Sequence, residues 1–198
     1  MTLYLASSSP RRVHLIKLLG APHVVVRSRD VDESFEQSTP PDIIVRSLAI
    51  RKAQAIRSGL IAEGKSGIIL GADTIVVLNG EVLGKPTDTD DAKRMLRLLS
   101  GNTHTVYTGL VLFHATTGLH HSFYESTEVT FRTLDDSEID DYVASGSPMD
   151  KAGAYGIQDD HGAVFISKIV GDYYNVVGLP LCRLYIELSK FAPNVFKK

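Results

Sequence analysis

Between Ile68 and Leu78 the chain runs eleven residues with a single ionisable side chain, Asp73, and then turns on Asn79-Gly80. An apolar run of that length has strand character. Asn-Gly after it is the strongest short signal for a hairpin, returning here through Glu81 to Leu83. Gly71-Ala72-Asp73-Thr74 interrupts the run, so Asp73 is expected where the strand breaks. Two roles suit a carboxylate there. It caps a turn, or it stands at the mouth of a sheet, where open α/β sheets commonly hold ligands, and binds a metal or takes a proton from water.

The rest of the chain alternates in the same manner. Leu3 to Ala6 reads as a strand and Ser7-Ser8-Ser9-Pro10 as the start of a helix from Ser8 or Ser9, with Val13, Ile16 and Leu19 inward and Gly20 as its stop. His23 to Val26 reads as a strand, and Arg27 to Pro41 as a loop carrying Asp30, Asp32, Glu33 and Glu36. Helical spacing predicts helices over Pro41 to Ile61, Asp88 to Leu99, Ser137 to Ser145 and Pro180 to Lys190. Thr105 to Ala115 and Phe123 to Phe131 read as long strands around Thr116-Thr117-Gly118, and Val164 to Val170 as another. Residues 1–198 show no break in composition, so a single α/β domain on a mixed sheet is expected. Hydrophobic residues at 43% and charged residues at 22% exclude extended disorder and a coiled coil. A net charge of -2 gives no general grip on nucleic acid, which needs clustered cations. Cys182 stands alone, so neither an internal disulfide nor a Cys-based zinc site can form. With no basic leader and no apolar stretch of membrane-spanning length, a soluble cytoplasmic protein is expected.

Several residues break local rules. Arg11 and Arg12 fall in the first turn of a helix, where the macrodipole disfavours cations by roughly 0.3–1 kcal/mol. They are solvated side chains, or they meet a phosphate together with the neighbouring serines and free N–H groups. Lys52 falls in line with Val45, Leu48, Ala55 and Ile56 on an apolar face; it snorkels to solvent, or projects where a phosphate compensates its charge. Lys85, between Gly84 and Pro86, and Lys151, after Asp150, each read as surface lysines or anion contacts. Gly153 and Gly156 would let backbone approach a flat ligand closely. The phosphate loop, the dinucleotide fingerprint, the Gly-x-Ser-x-Gly elbow and His-Glu-x-x-His are all absent from the sequence, which removes support for kinase, dinucleotide oxidoreductase, serine hydrolase and zincin readings. The seven histidines show no metal-ligand spacing and are expected at the surface.

In order, Ala6-Ser7-Ser8-Ser9-Pro10-Arg11-Arg12, Glu33, Ala49-Ile50-Arg51-Lys52-Ala53, Gly71-Ala72-Asp73-Thr74, Gly84-Lys85-Pro86, Leu99-Ser100-Gly101 and Asp150 to Gln158 resemble the Maf family of nucleoside triphosphate pyrophosphatases, from Leu3 to about Leu188. The resemblance implies the fold shared with inosine triphosphate pyrophosphatases: an elongated mixed sheet flanked by helices, in two lobes around a deep cleft, commonly as a homodimer. It also implies divalent-metal-dependent cleavage between the α and β phosphates. Gly71-Ala72-Asp73-Thr74 and Tyr155-Gly156-Ile157-Gln158 are similar to the branch acting on dTTP and UTP rather than on 7-methyl-GTP. The family pattern makes Asp73 the proton acceptor and likens Arg11 or Arg12, Thr74 and Gln158 to specificity positions. The Gln158 amide carries a donor and an acceptor that match a pyrimidine carbonyl and its N3–H. Asp159-Asp160-His161-Gly162 departs from a turn that is usually glycine-rich and uncharged.

The chemistry required is consistent with this. A triphosphate carries about four negative charges, which Arg11, Arg12, Lys52, Lys85 and Lys151, with Ser8, are the groups to meet. Mg²⁺ or Mn²⁺ needs only one or two protein carboxylates beside phosphate oxygens, and Glu33 is the candidate second ligand beside Asp73. Asp73 and the metal then activate water for attack on the α phosphorus, with Lys52 and Lys85 among the cations that stabilise departing pyrophosphate. The alternative expectation is a non-catalytic nucleotide-sensing regulator of septum formation.

Overall fold

The computed structural model describes residues 1–158 and 161–197. Asp159 and Asp160, the acids that depart from the family pattern, lie outside the described residues. In chain order the elements are β1 (Leu3–Ala6), α1 (Pro10–Leu18), β2 (Val24–Val26), α2 (Pro41–Ala62), β3 (Ile68–Leu78), β4 (Glu81–Leu83), α3 (Thr89–Leu99), β5 (Thr103–His114), β6 (His120–Phe131), α4 (Asp136–Ala144), β7 (Ile166–Val170), α5 (Tyr173–Val177) and α6 (Leu181–Phe191). The strands form one sheet in the order β2-β1-β3-β5-β6-β7, with β4 paired to β3. β1 runs parallel to β2 and β3, whereas β4 is antiparallel to β3 and β7 to β6. The mixed α/β architecture expected from the alternation is therefore present. No helix among the described residues is long and apolar enough to cross a membrane.

Two compact units divide the chain. One comprises 1–73, 108–125 and 178–198, the other 74–107 and 126–177. In the first, Ala49, Ala53, Ile56 and Leu60 of α2 recur at helical spacing and pack with Tyr4, Ala6, Ile69, Val111, Phe113 and Ala115 of the sheet. Two glycines set how closely the helix lies. A Cβ on Gly71 of β3 would stand 2.2 Å from the Ala49 carbonyl oxygen, and one on Gly109 of β5 would stand 2.3 Å from the Val45 carbonyl carbon. Helix backbone thus rests directly on strand backbone, with no room for a methyl group between them.

This contact corrects one expectation. β3 is unbroken from Ile68 to Leu78, so Asp73 sits inside a continuous strand and not at a break. Gly71 serves helix packing instead of a turn. Helix α1 also differs from its reading: Arg12, Leu15 and Ile16 are its buried residues, while Val13 and Leu19 are only half-buried. Ser9 occupies the N-cap without a side-chain cap bond, and its N–H is met by Ser7 Oγ at 3.2 Å.

In the second unit, Ala92, Met95, Leu96 and Leu99 of α3 pack with Val76, Leu78, Leu83, Phe131, Tyr142 and Phe165. Asp88 caps α3 by accepting from Asp91 N at 2.8 Å. Asn79 and Gly80 have φ of 50° and 84°, the pair of positive values that a two-residue primed turn requires. His104 does not lie at the surface as expected; it is 2% exposed, and burial lowers its pKa to about 4, leaving the ring neutral near pH 7.

Because the close seat of α2 depends on the missing Cβ, Gly109→Ala should destabilise the protein by about 1–3 kcal/mol in urea unfolding, the overpacking range. Gly84→Ala, whose Cβ would meet nothing within 4 Å, should shift stability by less than about 0.5 kcal/mol.

Candidate active site

Gly71 and Asp73 are two residues apart on β3 and so share a face of the strand. Gly71 meets Ala49 of α2, and one helical turn onward Lys52 reaches Asp73. The Lys52 ammonium forms ion pairs with Asp73 Oδ1 and, at 2.7 Å, with Glu33 Oε1. Asp73 is 6% exposed, in contrast to Glu33, whose side chain is 49% exposed on the loop before α2. Lys52 therefore neither snorkels into solvent nor stands alone. It bridges a buried carboxylate and an open one.

Burial pushes the Asp73 carboxyl above its ordinary range, opposed by the charges of Lys52 and Arg12 and by the Lys52 hydrogen bond. A carboxylate with raised proton affinity is suited to taking a proton from water. Arg12 is buried on α1; its Nε donates to the Gly178 carbonyl at 2.8 Å and its Nη1 to Ser7 Oγ at 3.4 Å. Desolvation lowers its pKa, and Asp73 and Glu33 oppose that shift with the sign expected of nearby anions. Arg11 is half-buried beside it and Ser8 is exposed. Of the sequence-predicted residues, Glu33, Lys52 and Asp73 are thus in direct contact, with Arg12 in their field.

Thr74, Lys85, Lys151 and Gln158 belong to the other unit. There the Gly84 carbonyl accepts from Gly153 N at 2.9 Å, which ties the exposed Lys85 turn to the segment that begins at Lys151. Lys151 is 8% exposed and donates to Ser147 and to Asp150 Oδ1, so it is no surface lysine. Gly153 and Ala154 both have positive φ, 70° and 59°. For Ala154 that conformation costs of order 1 kcal/mol or more. Two phenols hold the next residues: Tyr155 OH pairs with His104 Nε2 at 2.7 Å, and Tyr142 OH accepts from Gly156 N at 3.2 Å. Gln158 follows, exposed. Thr74 is half-buried on β3.

Sequence reasoning passed over Tyr142, placed His104 at the surface, and singled out Ser7 and Tyr155 only as parts of their motifs, without their partners. The run Ser7-Ser8-Ser9 gives no sign of which hydroxyl meets Arg12. The partnership of His104 with Tyr155 spans 51 positions, beyond any local pattern.

Among the described residues no group of three or more His, Cys, Asp or Glu is placed to hold a metal ion. Glu33 and Asp73 converge on one ammonium, and a divalent cation that keeps most of its waters needs no more than two such carboxylates. This donor set fits Mg²⁺ or Mn²⁺ better than zinc, which takes nitrogen and sulfur ligands.

A Maf-like protein family profile matches residues 2–191. A dTTP/UTP pyrophosphatase of Bacillus cereus strain B4264 is 50% identical over 194 residues, covering 98% of this chain and 97% of its own. One of Bacillus mycoides strain KBAB4 is 49% identical with the same coverage. Among solved structures, a nucleoside-triphosphatase / dITP/XTP pyrophosphatase of Mycobacterium abscessus aligns with 68% of this chain and 76% of its own at 15% identity and a TM-score of 0.40. The chain belongs to the Maf family.

Removing the bridging ammonium should leave Asp73 buried without its nearest opposite charge. In Lys52→Met the Asp73 pKa should rise further, and a folded-state pKa above the unfolded one means stability is lost as pH rises. Urea unfolding should show the variant nearest to wild type in acid, where Asp73 is protonated in both, and weaker by roughly 3 kcal/mol at pH 8.

Proposed function

We propose that this protein hydrolyses dTTP and UTP to the nucleoside monophosphate and pyrophosphate with the aid of a divalent cation. The observation that carries the reading is the contact of Lys52 with both Asp73 and Glu33, which unites a proton acceptor, a second carboxylate and a cation at one point. Half-identical relatives named dTTP/UTP pyrophosphatases support the choice of substrates.

Glu33 and Asp73 would hold Mg²⁺ or Mn²⁺, which when bound would neutralise phosphate charge and acidify water. Asp73 takes the proton of the attacking water on a carboxylate oxygen, and its burial raises the proton affinity this step uses. Lys52, which now pairs with both carboxylates, is the ammonium placed to meet phosphate oxygens of the substrate. Arg12, fixed through Gly178 and Ser7, contributes positive potential without needing to move. The reading extends to Ser8, Arg11, Lys85 and Lys151 the binding of phosphate oxygens, and to Thr74 and Gln158 the choice of base. It also takes the protein to be cytoplasmic, and to be a homodimer as the family resemblance implies.

Product analysis with Mg²⁺ or Mn²⁺ across dTTP, UTP, CTP and 7-methyl-GTP tests this. The expected outcome is pyrophosphate release fastest from dTTP and UTP. Nucleotide binding with no pyrophosphate release would favour the regulator instead. Asp73→Asn should fold, yet lose about 10²–10⁴-fold in turnover, the range for a removed general base. Retention of near wild-type turnover at saturating Mg²⁺ would take Asp73 out of the mechanism.

A further inference from the structure

Glu33 lies on a segment with no helix or strand to hold it, from Arg27 to Pro40, yet its carboxylate meets Lys52. The structure shows what orders the backbone there. Arg51 Nη1 donates to the carbonyl of Asp32 at 3.0 Å and to that of Ser34 at 2.7 Å, so a single nitrogen grips the two carbonyls that flank Glu33. Asp32 closes the turn from the other side: its Oδ1 accepts from Ser34 N and its Oδ2 from Ser34 Oγ, both at 2.8 Å.

Arg51 and Lys52 are consecutive on α2, so their side chains leave the helix about 100° apart. One fixes the main chain beside Glu33 while the other meets its carboxylate. The helix bearing both is itself seated on strand backbone at Gly71 and Gly109. Position thus passes from the sheet to α2, and from α2 through Arg51 to Glu33.

We propose that Arg51 is a positioning residue that holds Glu33 in place for the divalent cation. This rests on the reading of Glu33 as a cation ligand under the proposed function. A guanidinium suits the task because the two N–H bonds of Nη1 diverge at a fixed angle in a rigid plane, whereas the donors of a lysine rotate on a flexible stem. The competing role for a half-buried arginine at this place is direct contact with a substrate phosphate.

The test is a cycle of Arg51→Met, Glu33→Gln and the double variant, with Arg51→Lys as the conservative replacement. Three quantities are read on the full chain: Mn²⁺ affinity from the electron paramagnetic resonance of the free ion, amide hydrogen exchange over residues 31–35, and dTTP turnover against Mn²⁺ concentration. Arg51→Met should weaken Mn²⁺ binding and raise the Mn²⁺ concentration for half-maximal turnover by about tenfold, the loss usual for a residue that orients a metal ligand. Its turnover at saturating Mn²⁺ should fall less, and residues 31–35 should exchange faster. Arg51→Lys should recover part of each loss, and the double variant should be no worse than Glu33→Gln alone. Wild-type Mn²⁺ affinity in Arg51→Met alongside an impaired Glu33→Gln would overturn the positioning role alone. Additive losses in the double variant would do the same and assign Arg51 to the phosphate. A Glu33→Gln variant with unchanged Mn²⁺ affinity and turnover would overturn the reading of Glu33, and this inference with it.

Discussion

The seat of α2 on the glycines of β3 and β5 is the contact from which the candidate centre follows. With Gly71 and Gly109 lacking a Cβ, the helix backbone lies at van der Waals distance from the sheet. A lysine one turn beyond Ala49 can then reach an aspartate two residues beyond Gly71. A helix held further out by ordinary side chains would place the ammonium too far from Asp73 to pair with it. The carboxylate would then be buried without its nearest compensation, a costly state for a charge in a low dielectric. Packing and electrostatics are one constraint here.

The charges around Asp73 explain why a strand interior tolerates it. Lys52 donates to it directly, while Arg12 acts through space from a guanidinium anchored on Gly178 and Ser7. Burial still dominates and leaves the carboxyl with raised proton affinity. That residual cost is what a proton acceptor requires, since a fully neutralised carboxylate would be a poor base.

Much of this was readable in the chain. Alternating apolar runs and helical spacing gave the mixed α/β order, and Asn79-Gly80 gave the hairpin, because those signals are local and physical. Asp73, Lys52 and Glu33 stood out because each violated its surroundings or matched the family pattern, and the structure puts all three in contact. What escaped the sequence was relational. Gly71 read as a break because a glycine in a strand marks either a bend or a close approach, and only the position of Ala49 decides which. His104 read as exposed because its partner Tyr155 is distant in the chain. Lys151 read as a surface or anion-binding lysine, since the acceptors on Ser147 that satisfy it are carried by a turn with no distinguishing pattern.

A crystal structure of the wild-type chain with Mn²⁺ and α,β-imido-dTTP, which cannot be cleaved between those phosphates, tests the central claim most directly. Anomalous density for Mn²⁺ is expected between Glu33 and Asp73, with the Lys52 ammonium turned onto a phosphate oxygen. Nucleotide and cation bound elsewhere, with Lys52 still joining the two carboxylates, would contradict it.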